Sequence, residues 1–255
     1  MNLTVLERDI VQIWQIPLQT SAVKADDLID RYLGCLSQDE KDKAARFRFF
    51  KDRRRFVIAR GTLRHLLGRQ LNQRPEQINF CYGTYGKPAV SLGTKPQQSL
   101  SHTLTGEGCD FHFNLSHSGG IALCALGYER RVGVDIEQVK TIQRLDGMMK
   151  RTLVASEQQQ VEAESVAAQS RAFLQRWTCK EAYLKAIGLG LTQSMQTVEV
   201  QIEPPELLSV PENCSAGWRL HLMDLPAAYV GALAVAGETA VTQHQWQHLL
   251  PDDDD

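Results

Sequence analysis

The sequence predicts an α+β protein made of two lobes of similar plan, and three observations lead there. The order strand, helices, strands runs once before about Glu129 and again after it. Within each run the apolar residues switch between a period of two and a period near 3.6, the marks of strands and of amphipathic helices. At 255 residues the chain is long enough for two units that each bury a core. The expected division is residues 1–129, residues 130–250 and an acidic tail at 251–255.

In the first lobe, Val11–Pro17 alternates and is closed by proline, as an opening strand does. Ala25–Leu36 is predicted helical. Ser37-Gln38-Asp39-Glu40 has the capping-box spacing for a second helix running to about Phe49. A third, from Asp52 to Asn72, places Phe56, Ala59, Leu63, Leu66 and Leu67 on one face. Ile78–Tyr82 is expected as a strand and Pro88–Asp110, rich in Gly, Ser, Thr, Gln and Pro, as a loop. Phe111–Ser116 and Ile121–Gly127 form a strand pair around a Ser-His-Ser-Gly-Gly turn. In the second lobe, the strand Arg131–Glu137 leads into a polar connection, Gln138–Lys150. Helices at Ser156–Val166 and Ala168–Ile187 and strands at Val198–Ile202, Trp218–Leu222 and Tyr229–Ala236 follow.

Composition narrows the function classes. Hydrophobic content of 43% and charged content of 23% are ordinary for a soluble globular protein. The first 18 residues have no signal-peptide core, and no apolar run nears the ~20 residues of a membrane helix, so a cytoplasmic location is expected. Six cysteines show neither a C-x-x-C pair nor zinc spacing and are expected as reduced thiols. A net charge of −2 gives no overall pull toward nucleic acid or membrane. Eleven basic residues nevertheless cluster between Lys41 and Arg69, opposed there only by Asp42 and Asp52.

The chemistry concentrates in two segments. In Arg131–Glu137, residues two apart share a strand face, so Val134 and Ile136 point one way and the carboxylates of Asp135 and Glu137 the other. In Trp177–Lys185, Trp177, Glu181 and Lys185 fall on one helix face at spacings of four. Each segment alone is also what a solvated strand face or an ordinary helix ion pair looks like. Together, three carboxylates and a lysine suit Mg²⁺ and an anionic phosphate, because a hard cation takes oxygen ligands and keeps positions for water and phosphate. Gly133 allows close backbone approach, and Gly188 and Gly190 end the helix just past Lys185.

These segments resemble the signature of the 4′-phosphopantetheinyl transferases: Gly133-Val134-Asp135-Ile136-Glu137, then Trp177-x-x-Lys180-Glu181-Ala182-x-x-Lys185 with Gly188-x-Gly190. Two further family elements precede them in the family order, Tyr85-Gly86-Lys87-Pro88 and Phe113-Asn114-Leu115-Ser116-His117-Ser118-Gly119-Gly120. Length and the basic N-terminal region resemble the two-lobed, Sfp-like type, not the short trimeric type. The resemblance implies two pseudosymmetric α+β lobes with the active site in the cleft between them. It also implies a reaction: coenzyme A (CoA) gives its 4′-phosphopantetheine arm to a serine of an apo acyl, peptidyl or aryl carrier protein. The products are the holo carrier and adenosine 3′,5′-bisphosphate, as in holo-acyl-carrier-protein synthesis for fatty acid, polyketide or nonribosomal peptide assembly.

By the same resemblance, Asp135, Glu137 and Glu181 are the Mg²⁺ ligands (Mn²⁺ as a substitute), and Glu137, Glu181 and Lys185 the catalytic group. Glu137 is the base, directly or through a metal-bound water. Lys43, Arg55, Lys87, Ser116, His117, Lys180 and Lys185 are the implied CoA contacts. The pattern departs at Glu40, where relatives often carry a lysine. Because carrier proteins present an acidic helix, Lys140, Arg144, Lys150 and Arg151 are the expected carrier contacts. A monomer is expected, since two lobes already build the cleft. Against this stand a nucleic-acid binder using Lys41–Arg69, disfavoured by an isoelectric point near 6.4, and a Mg²⁺ nuclease. A nuclease Asp…Glu-x-Lys pattern would want lysine where Val139 stands. A carrier-binding remnant without chemistry is disfavoured by the complete carboxylate set.

Overall fold

Alternating apolar side chains make strands of Ile10–Pro17 (β1), Phe111–Ser118 (β4) and Ile121–Tyr128 (β5), and the three pair antiparallel in the order β4-β5-β1. The computed structural model describes residues 9–19, 25–91, 111–189, 194–211 and 217–248. In this first sheet Trp14, Ile16, Phe113, Cys124 and Leu126 face helices α1 (Ala25–Cys35) and α3 (Phe50–Leu71), with α2 (Gln38–Ala45) between them in sequence.

The second lobe repeats this plan. Val132–Gln138 (β6) is followed by helices α4 (Leu145–Thr152), α5 (Ala155–Glu162) and α6 (Val166–Ile187), then by the strands β9 (Trp218–Leu222) and β10 (Tyr229–Ala236). These strands pair antiparallel in the order β9-β10-β6, the counterpart of β4-β5-β1. Helix α6 matches α3 in its 22-residue length. It packs Cys179, Ala182, Tyr183 and Ala186 against Ala232, Ala234 and Leu220 of its sheet. The two sheets lie face to face: Val11, Ile13, Leu123 and Ala125 of one meet Val132, Val134, Ile136, Leu233 and Val235 of the other. The layers therefore run helix, sheet, sheet, helix, as two apolar-faced units must when each buries one sheet face on its helix and the other on its twin.

Several expectations are corrected. The chain does not remain in two contiguous halves, because Ala240–Gln245 (β11) returns to pair parallel with β1 and extends the first lobe's sheet. Residues 138–150 are not only a polar connection: Leu145, Met148 and Met149 turn inward from α4 with Val139 and Ile142 against Leu153, Val161 and Phe173. The helix after Ser37 stops at Ala45 instead of Phe49. Pro88–Val90 is a short strand (β3) paired with Phe80–Tyr82 (β2), not loop. Glu199–Gln201 (β7) and Glu206–Ser209 (β8) form another small pair. The rest of the expected loop, the acidic tail, Gly190, Cys109 and Cys214 lie outside the described residues. Cys35, Cys124 and Cys179 are free and buried, Cys81 free and exposed. Among the described residues no helix is long and apolar enough to cross a membrane.

Candidate active site

Helix α6 can lie against β6 because residue 133 has no side chain. A Cβ there would sit 2.1 Å from the Ala182 carbonyl oxygen and 2.4 Å from the Ala186 nitrogen, closer than any real contact. The helix ends at Gly188, whose φ of +80° suits only glycine well, so Lys185 falls in the last turn. Two residues along the same face of β6 from Gly133, Asp135 is buried (4% exposed). Its Oδ1 accepts hydrogen bonds from Lys185 Nζ at 2.5 Å and Ser116 Oγ at 2.8 Å, and Lys185 Nζ also reaches Ser116 Oγ at 3.1 Å. Glu137 Oε2 accepts from Ser118 Oγ at 2.8 Å, and that hydroxyl in turn accepts from the Gln138 N–H at 3.0 Å. Asn114 Oδ1 accepts from the Val134 N–H at 2.8 Å. Alternate residues of β4, namely 114, 116 and 118, thus join the first lobe to the acidic strand of the second.

This cluster holds excess negative charge in a poorly solvated place. Burial pushes the Glu137 carboxyl above its ordinary value, Asp135 adding to the effect against the Ser118 hydrogen bond. Burial likewise raises Glu181, with Asp135 and Glu137 adding to it and Lys185 opposing. Two carboxylate oxygens, Asp135 Oδ2 and Glu181 Oε1, are buried with no hydrogen-bond partner among the described residues. Buried charged oxygens without donors are expensive, and a cation satisfies them. No three His, Cys, Asp or Glu side chains among the described residues converge closely enough to enclose a metal by themselves. An ion that takes one or two carboxylates and completes its shell with water and phosphate, as Mg²⁺ does, needs no such cage. The donor set is all oxygen, which also fits Mg²⁺ or Mn²⁺.

The other side of β4 borders a cavity of about 300 Å³. Leu115 and His117 line it from β4, Phe56, Ala59, Arg60 and Leu63 from α3, Lys43 from α2, and Tyr82, Gly86 and Pro88 from the β2–β3 hairpin. Lys43 Nζ stands 5.3 Å from the Phe56 ring centre. The imidazole of His117 is pushed below its ordinary pKa by burial, then by the charges of Lys185 and Arg55. Arg55, one turn before Ala59, is partly exposed and paired with Asp52 at 3.6 Å. Asp39 and Glu40 also line this cavity, so a mixed-charge cavity and the Asp135–Glu137 cluster flank β4.

The structure places Asp135, Glu137, Glu181 and Lys185 near one another at β6 and α6, without the three carboxylates converging on one point. Lys43 and His117 line the separate cavity and Arg55 lies outside its lining, and three expected phosphate contacts are corrected. Lys180 is fully buried, and its three N–H bonds go to Glu157 Oε2 at 2.6 Å, the Thr152 carbonyl at 3.0 Å and the Met195 carbonyl at 3.2 Å. It lies about 100° around the helix from Glu181, which turns it into the core. The Ser116 hydroxyl serves Asp135, not the cavity. Lys87 Nζ donates to the Val132 carbonyl at 3.1 Å and the Ala186 carbonyl at 2.9 Å, so it fastens the β2–β3 hairpin to the second lobe. Burial, with Arg131 adding to it, lowers its pKa to about 8. His117 belongs to β4, not to the turn that follows. Lys140, Arg144, Lys150 and Arg151 are all exposed around α4. Sequence reasoning missed Asn114 and Ser118, which the alternation in Asn-Leu-Ser-His-Ser carried, and Arg60 and Tyr82, which nothing distinguished from their neighbours.

With this geometry in place, the chain can be set beside known proteins. Residues 25–127 match the family described as "4'-phosphopantetheinyl transferase, N-terminal", and residues 131–233 match the "4'-phosphopantetheinyl transferase superfamily". The chain is 36% identical to 4'-phosphopantetheinyl transferase HetI of Nostoc sp., across 92% of this chain and 91% of that one. It is 30% identical to 4'-phosphopantetheinyl transferase psf-1 of Bacillus pumilus, across 75% of each. With 4'-phosphopantetheinyl transferase Sfp of Bacillus subtilis it shares 26% identity across 71% of this chain and 73% of that one. Two matched halves that meet at the β5–β6 turn, and a relative aligned over 92% of this chain, place it in the 4′-phosphopantetheinyl transferase superfamily, in its Sfp-like type.

Proposed function

We propose that this protein transfers the 4′-phosphopantetheine group of CoA to a serine of apo acyl or peptidyl carrier proteins. The observation that carries this reading is the pair of buried, donor-less carboxylate oxygens on Asp135 and Glu181, one strand's thickness from a cavity walled by Lys43, Arg60 and His117. In the reaction the carrier serine oxygen attacks the phosphorus nearer the pantetheine arm. A new P–O bond forms to serine, the pyrophosphate P–O bond breaks, and adenosine 3′,5′-bisphosphate departs. Such substitutions depend mainly on positioning and on neutralising charge.

Asp135 and Glu181 would hold Mg²⁺, with Glu137 beside them. The ion, when bound, neutralises and orients the pyrophosphate oxygens. Glu137 takes the serine proton, and its raised pKa makes it a stronger base than an ordinary carboxylate. Lys185, held on Asp135 and Ser116, puts an ammonium where the departing phosphate gathers charge. The carrier docks by its acidic helix on Lys140, Arg144, Lys150 and Arg151, whose exposure around α4 supports that role. The protein acts as a cytoplasmic monomer on carriers of fatty acid, polyketide or nonribosomal peptide synthesis, without nucleic acid or membrane.

The test is intact-protein mass spectrometry of an apo carrier incubated with this protein, CoA and Mg²⁺, alongside an EDTA control. A gain of one phosphopantetheine that EDTA abolishes is the expected result. No mass change across several apo carriers would overturn the reading in favour of a binding remnant.

A further inference from the structure

We propose that Lys87 is a positioning residue for the reaction: reaching over from the first lobe, it caps the C-terminal end of α6 and so holds Lys185 against Asp135. This role rests on the transfer reaction proposed above and adds to it a side chain that is spent on backbone carbonyls of the second lobe.

A helix leaves its last four carbonyls without partners of its own. At the end of α6 the turn at Gly188 serves two of them: the Gly188 N–H reaches the Leu184 and Lys185 carbonyls, and the Leu189 N–H returns to Leu184. The Ala186 carbonyl takes its donor from 99 residues away, Lys87 Nζ at 2.9 Å. The same ammonium donates to the Val132 carbonyl at 3.1 Å. Burial lowers its pKa to about 8, so at pH 7 it is still mostly protonated. A cation at this end also suits the negative pole of the helix. The stem of Lys87 runs past the helix end, where a Cβ on Gly188 would stand 3.7 Å from its Cδ.

The two carbonyls mark the junction on which the acidic cluster depends. Val132 precedes Gly133, whose missing side chain lets Ala182 and Ala186 approach β6, so Lys87 grips strand and helix where their backbones meet. From that junction β6 carries Asp135, and α6 carries Lys185 on the residue just before Ala186. Lys185 sits in the last turn, the part of a helix that opens most readily. Its bonds to Asp135 Oδ1 and Ser116 Oγ hold only while that turn is formed. On its other side Lys87 belongs to the β2–β3 turn, its carbonyl accepting from the Gly83 N–H at 2.9 Å, and its neighbours Gly86 and Pro88 line the cavity. The hairpin has its own hold on the first lobe, since Phe80 meets Phe113 of β4 edge to face at 5.8 Å. Losing the Lys87 ammonium therefore loosens the end of α6 more than it loosens the cavity wall.

The test is a cycle of Lys87→Met and Lys185→Met, singly and together, read as kcat and KM for CoA in carrier modification and as amide hydrogen exchange over residues 182–189. Lys87→Met keeps the stem and removes the donors. It should lower kcat by about tenfold, the worth of one charge-assisted hydrogen bond, with the KM for CoA little changed and exchange at the end of α6 faster. Lys87→Arg should recover part of both losses. In the Lys185→Met background the second substitution should cost little further kcat, because both act through one ammonium. Wild-type kcat or wild-type exchange in Lys87→Met overturns the assignment, and so does a loss that multiplies in full with that of Lys185→Met. If Lys87→Met does not fold, Lys87→Gln keeps a donor without the charge and should show the same two changes; wild-type values there overturn the assignment as well. Carriers modified by wild type, with Lys87→Met unaffected, refute the role of Lys87 alone. Carriers left unmodified by wild type refute the reaction beneath it.

Discussion

Strands β1 and β6 occupy equivalent places in the two lobes and turn different chemistry toward their helices. Toward the other sheet both are apolar, Val11 and Ile13 in one, Val132, Val134 and Ile136 in the other. Toward the helix layer β1 presents Trp14 and Ile16, which close a core with α1 and α3. At the matching positions β6 presents Gly133, Asp135 and Glu137. The candidate active site is therefore housed where the sister lobe keeps core residues. Burial raises Glu137 and Glu181 for the same reason that it stabilises Trp14 and Ile16: water is excluded from that layer. One ammonium, Lys185, lies near three carboxylates, an excess of negative charge that the proposed cation would offset.

The largest expected effect breaks the comparison on its acidic side. Asp135→Ala and Glu181→Ala should each lower turnover by about 10³-fold or more, the scale of losing a charge-stabilising group, with the fold retained by circular dichroism. Full turnover in either variant would remove the cation site. On the apolar side the opposite replacement should fail for the opposite reason. Ile16→Glu places an unpaired carboxylate in a fully buried position and should destabilise by about 4 kcal/mol or more in chemical unfolding; a loss under about 1 kcal/mol would mean that the two helix-facing layers are not equivalent.

Lys180→Ala separates structure from chemistry within α6. It strands the fully buried Glu157 carboxylate and should destabilise by about 3 kcal/mol, while the KM for CoA of the folded protein stays near wild type. A selective rise in that KM would return Lys180 to the phosphate site. Lys43→Ala or Arg55→Ala should raise the KM for CoA about tenfold with kcat little changed, one charge-assisted contact being worth about that much. An unchanged KM would exclude either from the cavity's work.

The parts of this design that are local were legible in the sequence. The period of two in Val134–Glu137 placed both carboxylates on one face, the spacing of four placed Glu181 beneath Lys185, and Gly133 announced the close helix. Longer-range features were not. Whether Lys180 or Glu181 faces the strand depends on which side of α6 packs inward, and both neighbours are charged. The Leu145–Thr152 helix was hidden by Gly147 and its polar residues, its inward side being only Leu145, Met148 and Met149. The return of β11 to β1 pairs residues 230 apart, as at Ile10 and Ala240, and no local pattern encodes that. Arg60 and Arg64 looked like two of eleven basic residues, because the buried Glu40 that sorts them from the rest comes from a different helix.

On the proposed function, the helix-facing carboxylates of the second lobe are strained by burial, and a bound cation would relieve them. Thermal unfolding of wild type and Glu181→Gln, in EDTA and in Mg²⁺ from pH 5 to 8, tests it directly. A carboxyl whose pKa is raised in the folded protein favours folding below its ordinary pKa, and that contribution is lost as pH rises through the raised value. At pH 8 in EDTA the amide variant should therefore melt above wild type. The gap should close as pH falls, and Mg²⁺ should raise the Tm of wild type more than that of the variant. A variant that melts below wild type at pH 8, with a gap independent of pH and Mg²⁺, would contradict the account.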